Sequence, residues 1–198
     1  MNSLTETSFL QWANENGMGV DERYPKQVVL SFKPDPKLRR FWEVPAEPER
    51  RPYFIASILS LLGDWEACYV WRYNGSWPIS ALAPERINDH VEIQILKGIG
   101  LPLGTADVVA FSHYEVNQLV TLVFSTTIFG WCVNEDTYVV PDNAKYILEV
   151  SHHEAFHVSF RNAEDLNGFV SKMDEKGVPL PEDVPDETFK HPEWMKDN

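Results

Sequence analysis

The chain has 198 residues, and its composition, 43% hydrophobic and 13% aromatic, is that of a folded protein and not of a disordered one. Its formal net charge of −13, from 30 acidic and 17 basic residues, disfavours direct nucleic-acid binding, because phosphate backbones are bound largely through cationic groups. The length fits one domain, and no stretch is apolar over the roughly 20 residues that a membrane helix needs.

The negative charge is concentrated in the second half of the chain. Residues 1–99 carry 11 basic and 13 acidic side chains, whereas residues 100–198 carry 6 and 17. Such a field repels nucleic acid and favours a basic protein partner. The first residues lack the cationic and apolar segments of a secretion signal, so we expect a cytoplasmic protein that does not bind membranes. In that setting Cys68 and Cys132, both in apolar surroundings, are expected to be reduced and buried, with one disulfide as the alternative.

Hydrophobic periodicity and turn residues divide the chain into helices and strands. In chain order, the predicted elements are a helix over 4–16, a strand over 27–32, an edge strand over 38–44, a helix over 53–62, a strand over 64–73, a helix over 84–97, strands over 107–111, 119–126 and 137–140, a hairpin over 145–160 and a helix over 163–173. For the last helix, Asn162 is the predicted N-cap and Gly177 the end.

These elements predict an α+β fold, with a mostly antiparallel sheet of about six strands and three to four helices. A C-terminal β-meander is followed by a helix and then by an extended, proline-rich acidic tail. We expect residues 1–177 to form a single domain and residues 178–198 to form the tail.

One stretch, His153-Glu-Ala-Phe-His157, matches the H-E-x-x-H motif of zinc hydrolases. The motif requires a helix, because residues four apart must lie on one face to bind the same ion. Here apolar residues alternate on both sides of the motif, which predicts two strands joined by a turn. In an extended chain the two histidines are about 13 Å apart, so they do not share a metal ion. We therefore expect no metal and no cofactor.

Two other clusters have a structural and a functional interpretation. The aromatic stripe formed by Trp65, Tyr69, Trp71 and Tyr73 is expected to pack under the helix over 53–62, with a partner-binding patch as the alternative. A group of cationic residues in the proline-rich stretch is expected mainly to keep that loop soluble, with docking of the tail or a partner as alternatives. Its members are Lys33, Lys37, Arg39, Arg40, Arg50 and Arg51.

Composition and domain size resemble those of bacterial immunity proteins, small acidic proteins that neutralise toxins by charge complementarity. The resemblance implies a non-catalytic inhibitor that binds a basic, toxin-like protein. The residues expected to contact the partner are acidic or aromatic residues of the second half: Trp131, Glu135, Asp136, Glu182, Asp183, Asp186, Glu187 and Trp194. The pair Glu135 and Asp136 is expected to lie in a solvated turn. One alternative is a zinc-dependent hydrolase using His153, Glu154 and His157; a second is a regulatory or scaffold module.

Overall fold

A computed structural model of the chain describes residues 2–23, 27–72, 91–101, 108–129, 136–151 and 154–180. The helices of these ranges are α1 (Glu6–Glu15), α2 (Arg51–Leu61), α3 (Val91–Gly98), α4 (Val116–Phe129) and α5 (Ala163–Glu175). The strands are β1 (Asn2–Leu4), β2 (Met18–Arg23), β3 (Gln27–Phe32), β4 (Arg39–Glu43), β5 (Ala67–Arg72), β6 (Val108–Ser112), β7 (Thr137–Pro141), β8 (Tyr146–Ser151) and β9 (Ala155–Phe160). The fold is α+β, as predicted.

Seven strands form one antiparallel sheet in the order β1-β6-β5-β7-β8-β9-β4, and β2 and β3 form a separate antiparallel pair. The predicted meander is confirmed, since β7, β8 and β9 are neighbours in both sequence and sheet. The predicted edge strand is also confirmed, because β4 is the last strand of the sheet and pairs with β9. In the hairpin of β8 and β9, Val150 lies opposite Phe156, so this part of the chain is pleated and not helical.

Both faces of the large sheet are covered, because alternate residues of each strand point to opposite sides. On one face, apolar residues such as Val70, Leu148 and Phe156 pack against α2, α3, α4 and α5. On the other face, Trp71 and Tyr138 pack against α1 and the pair of β2 and β3. The aromatic stripe is therefore divided between the two faces. Tyr69 and Trp71 pack under α1 and not under α2 as predicted, and Phe9 contacts Trp71 with ring centroids 5.6 Å apart. Trp65 packs against the core that includes α2, and Tyr73 lies outside the described residues.

The strand predicted over 119–126 is wrong, because these residues belong to α4. Their two threonines, two valines and phenylalanine are residue types typical of strands, and this composition led to the wrong prediction. Leu119, Leu122 and Val123 are nevertheless buried at helical spacing, in the core that α4 shares with α2 and the sheet. A helix packed on several sides is apolar on most of its circumference, so its pattern resembles that of a buried strand.

The helix ends follow the usual capping rules where the sequence predicted them. The Asn162 side chain accepts a hydrogen bond of 2.8 Å from the backbone N–H of Asp165, which confirms the predicted N-cap of α5. Gly177 follows that helix with φ +72°, a conformation that glycine adopts without strain. By contrast, β2 was not predicted, because its sequence, Met18-Gly-Val-Asp-Glu-Arg23, is too polar to indicate a strand.

The chain after α5 returns to the edge of the sheet. The indole N–H of Trp42 donates to the Val178 carbonyl at 3.3 Å, and Val178 and Leu180 pack against the main core. The rest of the predicted tail lies outside the described residues. In the ranges that the structure describes, none of the helices combines the length and the apolar character needed to cross a membrane.

Candidate functional site

Seven of the eight predicted partner-binding residues lie outside the described residues; Asp136 is the exception. It directly precedes β7, and only 6% of its surface is exposed. The sequence predicted that Glu135 and Asp136 lie in a solvated turn, and the burial of Asp136 contradicts that prediction for this residue. A carboxylate this buried does not offer its charge to a partner at the surface.

The segment that matches the zinc motif is a turn followed by a strand. Glu154 is exposed in the turn with φ 58°, and His157 lies in the middle of β9, whereas His153 falls outside the described residues. The described part thus lacks the helical geometry on which the zinc motif depends. Within the described ranges, no three or more His, Cys, Asp or Glu side chains are grouped so as to hold a metal ion.

The His157 side chain points into a buried charge cluster. We use this name for Arg39, Glu149 and His157, which lie on β4, β8 and β9 under the pair of β2 and β3. A guanidinium nitrogen of Arg39 lies 2.6 Å from one carboxylate oxygen of Glu149, and Nε2 of His157 lies 3.9 Å from the other. The Glu149 side chain is only 4% exposed. The ring of Phe41 covers His157, with centroids 5.5 Å apart.

Strand register brings these residues together from distant parts of the sequence. Tyr138 lies opposite Glu149, which lies opposite His157, so one row of side chains crosses the sheet towards the edge. The Tyr138 hydroxyl donates to the Val28 carbonyl at 3.0 Å, linking this row to β3. Burial, followed by the nearby charges of Glu149 and Asp136, raises the pKa of Tyr138, so its hydroxyl keeps its proton and remains a donor.

The buried charge cluster links the edge strand β4 to β8, because Arg39 reaches across β9 to pair with Glu149. A buried carboxylate costs several kcal/mol unless a cation and hydrogen bonds compensate it, so Glu149 can be buried here only with Arg39 beside it. From the sequence, Arg39 was expected to keep the proline-rich loop soluble, and Glu149 was not predicted to have a role. Its position could have indicated a buried ion pair, because Glu149 is the only acid in Tyr146-Ile-Leu-Glu-Val-Ser151, a strand that is otherwise apolar apart from its last residue.

A second group of residues lies at the surface, where three central strands end. We call it the acidic corner, and its members are Asp64, Trp65, Glu66, Tyr114, Val116 and Asp142. These residues come together because Ala67 begins β5, Ser112 ends β6 and Pro141 ends β7, and the three strands are adjacent in the sheet.

Hydrogen bonds hold the acidic corner in place. The His113 backbone N–H donates to the Glu66 carbonyl at 3.1 Å. The Asp142 carboxylate accepts from the backbone N–H groups of Glu66 and Ala67 at 3.3 and 3.0 Å. The Asn143 side chain donates to the Asp64 carbonyl at 2.6 Å. The three chain segments are therefore tied to one another by backbone groups and by the side chains of Asp142 and Asn143.

The segment that carries Tyr114 is a helical turn with its own cap. Ser112 and Glu115 form a capping box, in which the Glu115 carboxylate accepts from the Ser112 backbone N–H at 2.9 Å. Hydrogen bonds from the chain's amino terminus and from Ser112 lower the pKa of Glu115 to about 2. The ring of Tyr114 contacts that of His113, with centroids 3.8 Å apart and the ring planes tilted by 40°, and Tyr114 is 85% exposed.

Cys68 lies beneath this corner, in β5. It is buried and free, as predicted, while Cys132 falls outside the described residues. Burial, and to a smaller extent the charge of Asp142, raises the pKa of the Cys68 thiol. The thiolate is the reactive form of cysteine, so Cys68 is an inert core residue.

Comparison with models of known protein families, with curated proteins and with solved structures found no match to this chain, so its own residues carry the interpretation.

Proposed function

We propose that this chain is a non-catalytic, acidic binding protein that captures a basic protein partner, in the manner of an immunity protein that neutralises a toxin. The observation that carries the proposal is the net charge of −13. In the part of the chain that the structure describes, many carboxylates are exposed. They include Asp64, Glu66, Glu154, Glu164, Asp165, Asp174 and Glu175.

The cationic residues of the proline-rich stretch do not oppose this field as a separate basic surface, because several of them contact groups of the same chain. Lys33 pairs with Asp21, and Arg39 pairs with the buried Glu149. The side chain of Arg51 donates to the Pro45 carbonyl at 2.9 Å. This internal pairing supports a partner surface formed by the acidic residues.

The buried charge cluster supports a structural role for the ionisable groups of the interior. An acid or base catalyst has to reach a substrate, and Glu149 is both covered and held by Arg39 at 2.6 Å. The surface carboxylates, by contrast, meet any approaching molecule first. We therefore assign the function to the surface and the stability of the sheet edge to the cluster.

A negative field of this size has a kinetic consequence. Opposite charges steer two proteins together and raise the association rate, and salt screens this steering because the Debye length falls from about 10 Å at 0.1 M to about 3 Å at 1 M. The association rate with the proposed partner should therefore fall steeply as the salt concentration rises. The dissociation rate should change much less.

The test uses the purified product of the gene adjacent to the one that encodes this chain. We expect a stable complex whose association rate falls by roughly tenfold or more between low and high salt. Co-expression should also relieve any toxicity of that product. Absence of a complex, or association that is independent of salt, would contradict the proposal.

A further inference from the structure

We infer that the acidic corner is the surface that docks the basic protein partner and that Tyr114 is its anchor. This inference rests on the proposed function, to which it adds the location of the contact. Its two components are an aromatic side chain that projects from the surface and a surrounding group of carboxylates.

Exposure singles out this part of the described structure. Four large hydrophobic side chains of the described residues are exposed, namely Val20, Tyr53, Tyr114 and Val116. Two of them belong to the acidic corner, with 85% of Tyr114 and 42% of Val116 exposed. Tyr53 differs, because it is 58% exposed and its hydroxyl donates to the Lys176 carbonyl at 3.0 Å. Tyr114 thus presents the larger apolar surface.

The charges around Tyr114 are mainly negative. The segments 64–66, 113–116 and 142–143 contain Asp64, Glu66, Glu115 and Asp142. Two cations are close to them, namely the chain's amino terminus, which bonds the Glu115 carboxylate, and the exposed Lys145. The exposed acids of the corner are Asp64 and Glu66. A lysine or arginine of a partner could therefore pair with a carboxylate here, or stack on the ring of Tyr114.

The corner is already ordered by its own hydrogen bonds, which favours tight binding. Ordering a loop when a complex forms costs free energy, and a surface held by its own backbone bonds avoids most of that cost. Here the Glu66 carbonyl, the Asp142 carboxylate and the Asn143 amide side chain fix the three segments. Tyrosine adds contact area with only two rotatable side-chain bonds, which is one reason that it is common among interface anchors.

The charge decides the class of partner. Carboxylates repel the phosphates of nucleic acids and the anionic headgroups of lipids, whereas they attract lysine and arginine on a protein surface. A second copy of this chain would present the same negative field. The acidic corner therefore fits a basic protein.

The first experiment measures the dissociation constant of the full-length chain with the purified product of the adjacent gene. We expect Tyr114→Ala to weaken binding roughly 30-fold, as truncation of an interface anchor does, and the matched control Tyr53→Ala to stay within about threefold of the unchanged chain. Likewise, Glu66→Lys should weaken binding at least about tenfold, whereas Asp174→Lys on α5, which changes net charge equally, should have a smaller effect. If each corner variant lost no more affinity than its matched control, the inference would be overturned. The proposed function would remain intact, because the partner would still bind the unchanged chain.

A second experiment does not depend on that partner. An oligolysine peptide is titrated into the isotope-labelled full-length chain, and the shifts of backbone amide signals are mapped. We expect the largest shifts over 64–66 and 113–116, and their loss in the Glu66→Lys variant. Shifts centred on α5, or no shifts at all, would overturn the inference even if the partner binds. If the adjacent gene product does not bind, the proposed function fails and this mapping alone decides whether the acidic corner attracts cations.

Discussion

The buried charge cluster and the acidic corner both contain carboxylates, but they differ in what surrounds those carboxylates. Glu149 is 4% exposed at its side chain and is held at 2.6 Å from Arg39. Glu66 is exposed at the end of the central strands. Burial makes each charge of an ion pair depend on its partner, whereas exposure leaves a charge available to another molecule. Position in the fold, and not residue type, therefore separates structural charges from those available for binding.

The largest effect on stability is expected from breaking the buried pair. Arg39→Met leaves the Glu149 carboxylate without the cation at 2.6 Å, which should cost about 3 kcal/mol of unfolding free energy, measured with urea. The double variant Arg39→Met, Glu149→Leu should recover most of that loss. The control is Arg50→Met, which breaks an exposed pair with Glu47 at 3.9 Å and should cost less than about 0.5 kcal/mol. If both single variants lost the same free energy of unfolding, burial would not determine how much an ion pair contributes to stability.

A smaller effect is expected from the hydroxyl of Tyr138. Tyr138→Phe removes the buried hydrogen bond of 3.0 Å to the Val28 carbonyl, which should cost about 1 kcal/mol because that carbonyl is left without its donor. Tyr53→Phe removes a bond of the same length to the Lys176 carbonyl at the surface, where water can replace it. Urea unfolding of the two variants should therefore show a clear difference. A loss at Tyr53 as large as that at Tyr138 would contradict this explanation.

The capping box at the acidic corner should give a pH-dependent effect. Hydrogen bonds from the chain's amino terminus, and then from Ser112 of the capping box, lower the pKa of Glu115 from its usual 4.5 to about 2, so its carboxylate stabilises the folded state above pH 4.5. That contribution is lost as the pH falls towards 2. Glu115→Gln should therefore be less stable than the unchanged chain at pH 6, and the difference should shrink between pH 4.5 and 2. A difference that is constant over this range would exclude a cap that depends on charge.

The smallest effects on stability are expected at the proposed contact residues. Tyr114 and Glu66 are exposed, so Tyr114→Ala and Glu66→Lys should each change the free energy of unfolding by less than about 0.5 kcal/mol. Thermal and urea unfolding measure this directly. A loss above about 1 kcal/mol would mean that these side chains serve the fold, which would weaken their assignment to the partner.

Local pattern was sufficient to predict the meander and α5. Alternation in β8 and β9, and the capping residue of α5, are properties of neighbouring residues, and they predicted the α+β class as well as the strand conformation around His157. The same kind of reasoning failed for α4, because a helix buried on several sides loses the contrast between faces that marks a surface helix. It also assigned Tyr69 and Trp71 to the face under α2 instead of the face under α1, since nothing local shows which element covers which face.

Neither of the two charged regions could be predicted, because strand register creates both. Arg39 and Glu149 are 110 residues apart in sequence and meet only because β4 and β8 both pair with β9. The acidic corner likewise depends on β5 lying between β6 and β7. The sequence shows the sign of the net charge, from which a basic partner is expected. It does not indicate which acidic residues the fold brings together.

The most direct test compares partner affinity for Glu66→Lys and Arg39→Met at a temperature where both variants are folded. We expect Glu66→Lys to bind the partner at least about tenfold more weakly, although its stability is unchanged. Arg39→Met should bind the partner normally, although it is less stable. The reverse pattern, with affinity lost at Arg39 and retained at Glu66, would contradict the separation of structural charges from binding charges.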